Sequence, residues 1–188
     1  MNSAITTALV GFFVYGGAAT STLPPAWTTP APQAPANPSY QVTLTGYNAT
    51  ADQTDSNPSV TASGNFSDPD VVAARSQDLA DELPFGTIIS VTDSATSSPN
   101  CGFDLVDGMV GLRVIADSMN ARMHNKVDIL FDTDAKVKVG GKAVNPARAL
   151  GVCKDVHIEV VGYIDPRHMP KNQTELKVAL GKSTLADK

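Results

Sequence analysis

From Tyr40 onward the chain is a succession of short runs whose periodicity restricts the fold more than any other feature. YQVTLTGY (40–47) alternates large and polar side chains with a period of two, and FGTIISVT (85–92) does so less strictly. GLRVIA (111–116) and KVDILF (126–131) are short apolar runs rich in β-branched residues, and DVHIEVVGYI (155–164) closes the series of strands. Between these runs lie TDSNPS, SATSSPNCG and DTDAKVKVGGK, whose Gly, Pro, Asn, Asp and Ser favour turns. One helix is expected in NPARALG, where Asn145 can cap, Pro146 suits the first helical position and Gly151 can end the turn. A second helical turn is expected within AARSQDLADEL (73–83). Short strands with one or two short helices predict a compact, mainly β barrel, not a doubly wound sheet. The tail 165–188, with PRHMPKNQTELKVALGK, is charged and weakly amphipathic, and reads as a surface appendage or docking strand.

The region before the strands has a different chemistry. No charged residue precedes Asp52, and AITTALVGFFVYGGAA is apolar and small. A secretory signal has an apolar core of about 7–15 residues followed by small residues at the cleavage site, which Ala18 and Ala19 supply, but no Lys or Arg stands in front of the core. A membrane span needs roughly 20 apolar residues, slightly more than this glycine-interrupted run offers. Residues 1–20 are therefore read as a signal peptide or a hydrophobic anchor. Residues 21–38, rich in Pro, Ala and Thr, lack the backbone donors for a sheet and favour extended polyproline conformation, so they read as a linker. That order, an apolar end, a stiff tether and then a domain from residue 39, suits a protein held near a membrane or on a virion while its domain reaches outward.

At 188 residues the chain suits one well-buried domain with appendages. A formal net charge of −5 provides no basic surface to neutralise a phosphate backbone, which argues against a nucleic-acid partner. Cys101 and Cys153 are too few for a disulfide scaffold and too far apart for a Cys-x-x-Cys motif, which leaves one disulfide between them open in an oxidising compartment.

Two acids carry the chemistry. Asp117 stands where VIA runs out and Asp128 lies inside VDILF, with the polar, turn-forming SMNARMHNK between them, so the two are expected to meet across one loop. The order of LTGYNATADQTDSNPSVTASG, VVAARSQDLADELPFGTIISV, LRVIADSMNARMHNKVDILFD and ALGVCKDVHIEVVGY resembles the three-aspartate ("3D") domain. That domain is a six-stranded double-psi β-barrel of resuscitation-type cell-wall proteins and of the lytic transglycosylase A family. The resemblance covers about residues 40–164, within the expected domain 39–164. It implies a peptidoglycan lytic transglycosylase, which cleaves the MurNAc–GlcNAc bond and leaves a 1,6-anhydro sugar. It also implies an envelope, periplasmic or secreted location, or a place in a virion.

Carried over by position, Asp128 matches the aspartate that acts as general acid and base, and Asp117 its neighbouring aspartate. Thr45 and Tyr47 of TGY, with Thr61 and Ser63 of TASG, match the elements bordering the sugar cleft, and Arg122 lies in the loop between the acids. The family's further aspartate falls where this chain reads Ala73, Ala74, Arg75, Ser76.

The chemistry also stands without the family. Glycosidic cleavage requires protonation of the leaving oxygen, and ordinary glycosidases use two carboxyls for the whole reaction. When the substrate's own C6 hydroxyl attacks, one carboxyl can give the proton and later take one. Asp128 would need its pKa raised by burial or by a like charge, which Asp117 can supply. Pairing with Arg122 or Lys126 would lower it instead and favour plain sugar binding. A loop-end aspartate also commonly accepts backbone N–H bonds, and hydroxyls at strand ends usually serve the backbone. The alternative function is thus a non-catalytic barrel that binds glycan or serves as a structural piece of an envelope or virion assembly.

Other patterns carry less. Asp132 and Asp134 begin like a calcium loop, but Lys136 occupies the next ligand place. His124, His157 and His168 lack metal-ligand spacing, and nucleophile-elbow and phosphate-loop motifs are missing. No metal or cofactor is expected.

Overall fold

A computed structural model describes residues 36–54, 57–93 and 99–186. The apolar segment 1–20 and all but the end of the linker lie outside the described residues. The described residues form eight strands: β1 (Ser39–Asn48), β2 (Val72–Arg75), β3 (Thr87–Asp93), β4 (Arg113–Ser118), β5 (Lys126–Phe131), β6 (Val137–Val139), β7 (Lys142–Val144) and β8 (Cys153–Tyr163). Six of them close into a barrel in the order β1-β5-β2-β4-β3-β8, with β8 pairing back onto β1. The β1–β5 and β2–β4 pairings are parallel and the other four antiparallel. Closure leaves none of these six strands as a free edge.

The period-two pattern sets what faces inward. Val42 and Leu44 of β1, Ala73 of β2, Ile89 of β3, Ile115 of β4, Val127 and Ile129 of β5, and Val156 and Ile158 of β8 fill the barrel interior. Burying each large aliphatic side chain there contributes about 1.5–3 kcal/mol, and truncating the fully buried Ile129 to Ala would cost about 2–5 kcal/mol. A second layer, with Tyr47, Val72, Ala74, Val114, Ala116 and Leu130, lies on the other face of the same strands. Glycine is required where elements touch closely. A Cβ on Gly46 would lie 2.9 Å from both the Ala147 backbone and the Phe131 ring, and one on Gly86 (φ +96) would strike the Ile164 carbonyl.

Helix α2 (Pro146–Leu150) forms where NPARALG predicts it, with the Asn145 side chain accepting from the Ala147 N–H at 2.9 Å. The second helical turn forms as a 3-10 turn at Gln77–Leu79, just after Ala73–Arg75 of strand β2. Three expectations need correction. DTDAKVKVGGK is not a plain connection, because it contributes to the β6–β7 hairpin. The tail is neither an appendage nor a strand: α3 (Gln173–Ala186) covers the second layer with a fully buried Leu176, while Leu180 packs over Gly162. With the short α1 (Asp107–Val110) there are three α-helices among the described residues, not one or two. The Gln173 amide ties α3 down, donating to the Asp70 and Leu112 carbonyls and accepting from the Leu112 N–H.

The guanidinium of Arg113, itself 1% exposed, sits among the carbonyls of Val110, Met109, Pro69 and Leu130. Burial pulls its pKa down to about 10, with Asp70 and Asp68 opposing the fall, so it stays charged at neutral pH and gathers three chain segments behind β4. The Cys101–Cys153 disulfide joins the segment before α1 to the start of β8.

Candidate functional site

β4 and β5 are not neighbours, so Asp117 and Asp128 do not meet across their connecting loop as expected. They meet across β2. The register pairs Thr45 of β1 with Asp128 of β5, Asp128 with Ala74 of β2, and Ala74 with Asp117 of β4, so four residues form one rung. A β-bulge makes this rung. Ala73 pairs with Ile115, yet Ala74 pairs with Asp117, and the extra residue, Ala116, carries the acid level with Asp128. With strands about 4.8 Å apart, the two aspartate backbones stand roughly 10 Å apart, and only the methyl group of Ala74 lies between them. That small side chain is the floor of a groove of about 490 Å³, lined by both acids together with Tyr47, Ser118 and Asn120 on the polar side and Pro58, Val60, Met119 and Met123 on the apolar side.

The two carboxylates differ in environment. Asp117 is committed to structure: Oδ1 accepts from the Ala62 and Ser118 N–H groups and Oδ2 from the Tyr47 hydroxyl, each at 2.9 Å. It therefore behaves as the turn-holding aspartate that sequence reasoning kept in view, and it fastens the 61–65 turn to the barrel. Asp128 is half-buried; Oδ1 accepts from Thr45 Oγ1 at 2.9 Å, while Oδ2 accepts nothing among the described residues and is not sealed from the groove. Burial pushes the Asp128 carboxyl up to about 6, and the Asp117 charge adds to the rise, while Thr45 and Lys126 hold it back. The Tyr47 hydroxyl is raised well above the usual phenol range, first by burial and then by Asp117, so it remains a donor.

Thr45 and Tyr47 are two residues apart on one strand and so share a face, which delivers one hydroxyl to each acid. Arg122 lines the groove, but among the described residues it is ion-paired with neither acid. Thr61 and Ser63 are not groove residues. Their hydroxyls bond each other at 3.0 Å and hold Asn65, which supports the turn that presents the Ala62 N–H to Asp117. The contacts seen for these two hydroxyls are those that hold this turn. Sequence reasoning missed Ala74, whose importance comes from its place between strands, and also Gln53, Met119 and Met123.

Arg75 does not line the groove. It donates to the Leu83 and Ser76 carbonyls and lies over the Phe85 ring at 5.0 Å. Among the described residues no cluster of His, Cys, Asp or Glu could hold a metal ion, and no helix is long and apolar enough to cross a membrane. Asp132 uses Oδ1 to accept from the Asp134 N–H, as in an ordinary Asx turn.

Neither a protein-family model nor a curated protein matches this chain.

Proposed function

We propose that this domain is a double-psi β-barrel of the three-aspartate type that cleaves peptidoglycan as a lytic transglycosylase, with Asp128 as the single general acid and base. The closed order of six strands with two parallel pairings supports the barrel type. The observation that carries the reading is Asp128, a groove carboxyl with one free oxygen and a pKa of about 6. Because Thr45 donates to Oδ1, Oδ2 is the oxygen left to carry the proton.

In the proposed reaction, Asp128 Oδ2 gives its proton to the glycosidic oxygen as the C1–O bond breaks. The carboxylate then takes the proton of the C6 hydroxyl as that oxygen bonds to C1, which restores the acid and uses no water. Asp117 holds negative charge beside the oxocarbenium-like centre and keeps the Asp128 proton in place. The segment 73–76 supplies no third acid, so the reading rests on Asp117 and Asp128 alone. Incubating the protein with purified peptidoglycan should yield anhydro-muropeptides by mass spectrometry, and Asp128→Asn should yield none. No product from either protein would overturn the reading.

A second reading rests on the bonds of Asp117. All of its acceptor contacts are structural, which also suits a barrel that grips glycan without cleaving it, in an envelope or virion assembly. Binding without product would favour that reading.

A further inference from the structure

An exposed apolar pair stands beside the groove. Val60 and Phe66 form an antiparallel bridge, 42% and 69% exposed, on the hairpin between β1 and β2. The bonds Ser67 N–H to Ser59 O and Thr61 N–H to Asn65 O flank this bridge, so the two residues form a non-hydrogen-bonded pair. In such a pair the side chains are close and share a face. Val60 lines the groove, so the Phe66 ring rises next to it on the groove side of the hairpin. The hairpin is also anchored to β4, the strand of Asp117: the Ala62 N–H donates to Asp117 Oδ1 and the Ser63 N–H to the Ala116 carbonyl.

A phenylalanine that is 69% exposed beside a groove-lining valine offers the face of its ring to a ligand entering the groove. We propose that Phe66, backed by Val60, is a stacking platform for a pyranose ring of the glycan, a binding subsite adjoining the Asp117–Asp128 groove. The C–H face of a sugar ring would lie on the phenyl ring while its hydroxyls turn to the polar side chains that line the groove. The inference rests on the groove being a glycan site but not on cleavage. Because Asp117 accepts a bond from this hairpin, a sugar seated on Phe66 would be registered against the acid rung.

The test uses the full chain carrying Asp128→Asn, so that binding is read without turnover, and a β-1,4-linked N-acetylglucosamine tetramer as the probe in calorimetric titration. Adding Phe66→Ala should weaken binding about fivefold, and Phe66→Trp should restore or exceed the starting affinity. Circular dichroism checks that each variant folds. Equal affinity with Ala and Trp, or no tetramer binding at all, would overturn the inference; the former would leave the ring as a contact for a protein partner. Phe66-dependent binding by a wild-type chain that releases no anhydro product would sustain the platform while rejecting the transglycosylase.

Discussion

If burial raises the Asp128 carboxyl from an ordinary 3.8 to about 6, the cost of that burial is measurable as stability. The folded state then keeps a proton that the unfolded state has lost. Stability contributed by this group is fully present below about pH 4 and is lost as pH rises through about 6. The gap between the two values corresponds to about 3 kcal/mol at about 1.4 kcal/mol per pH unit. Water in the groove screens part of the side chain, which reduces the expected effect to about 1–2 kcal/mol. Asp128→Asn stays neutral at all these pH values and retains an oxygen to accept the Thr45 hydroxyl. The variant should therefore match wild type at pH 3.5 and exceed it by about 1–2 kcal/mol at pH 7.5, in urea unfolding followed by circular dichroism. Taking the difference between the two proteins cancels the titration of the other carboxylates. An Asn variant less stable than wild type at pH 7.5, or a difference independent of pH, would refute the argument. A functional acid that destabilises its own fold is a recognised trade between stability and activity.

Asp117→Ala leaves the Tyr47 hydroxyl and the Ala62 and Ser118 N–H groups without their acceptor, and should cost about 3 kcal/mol, with hydrogen exchange quickened at the Ala62 amide. Ala74→Leu should destabilise by about 1–3 kcal/mol through overpacking, yet abolish glycan binding by filling the floor of the groove, as titration with the tetramer would show. Reducing the Cys101–Cys153 bridge, which spans a sequence separation of 52, should lower stability by about 4 kcal/mol from loop entropy, read by denaturation with and without reductant.

The strands that alternate or run apolar, β1, β3, β4, β5 and β8, were legible because each buries one face or both in the barrel, and period two is the direct record of that burial. VAAR left no such record. It is short, buried on both faces and built largely of alanine, the best helix former, so the pairing of β2 with two neighbours overrode its local preference. Helix α3 was missed because its apolar residues define only a weak stripe. A signal was nevertheless present, since the Asn172 side chain accepts from the Glu175 N–H as an N-cap does, and Glu175 reaches back to the Lys171 N–H just before it. Both groove acids could be picked out by residue type and spacing, but not the way in which they come together. A bulge at Ala116 and a strand inserted between β4 and β5 are matters of register, which only the assembled sheet decides. Thr61 and Ser63 illustrate the converse: the Thr61 hydroxyl bonds the Asn65 backbone and the Ser63 hydroxyl bonds the Thr61 hydroxyl and the Asn65 amide, contacts that hold the turn.

The role assigned to Asp128 is tested most directly by carrying out the peptidoglycan reaction in water enriched in oxygen-18 and weighing the released muropeptides. Attack by the sugar's own C6 hydroxyl predicts 1,6-anhydro ends containing no heavy oxygen. Reducing ends that carry the label would mean that water is the nucleophile, and would contradict the single-carboxyl mechanism.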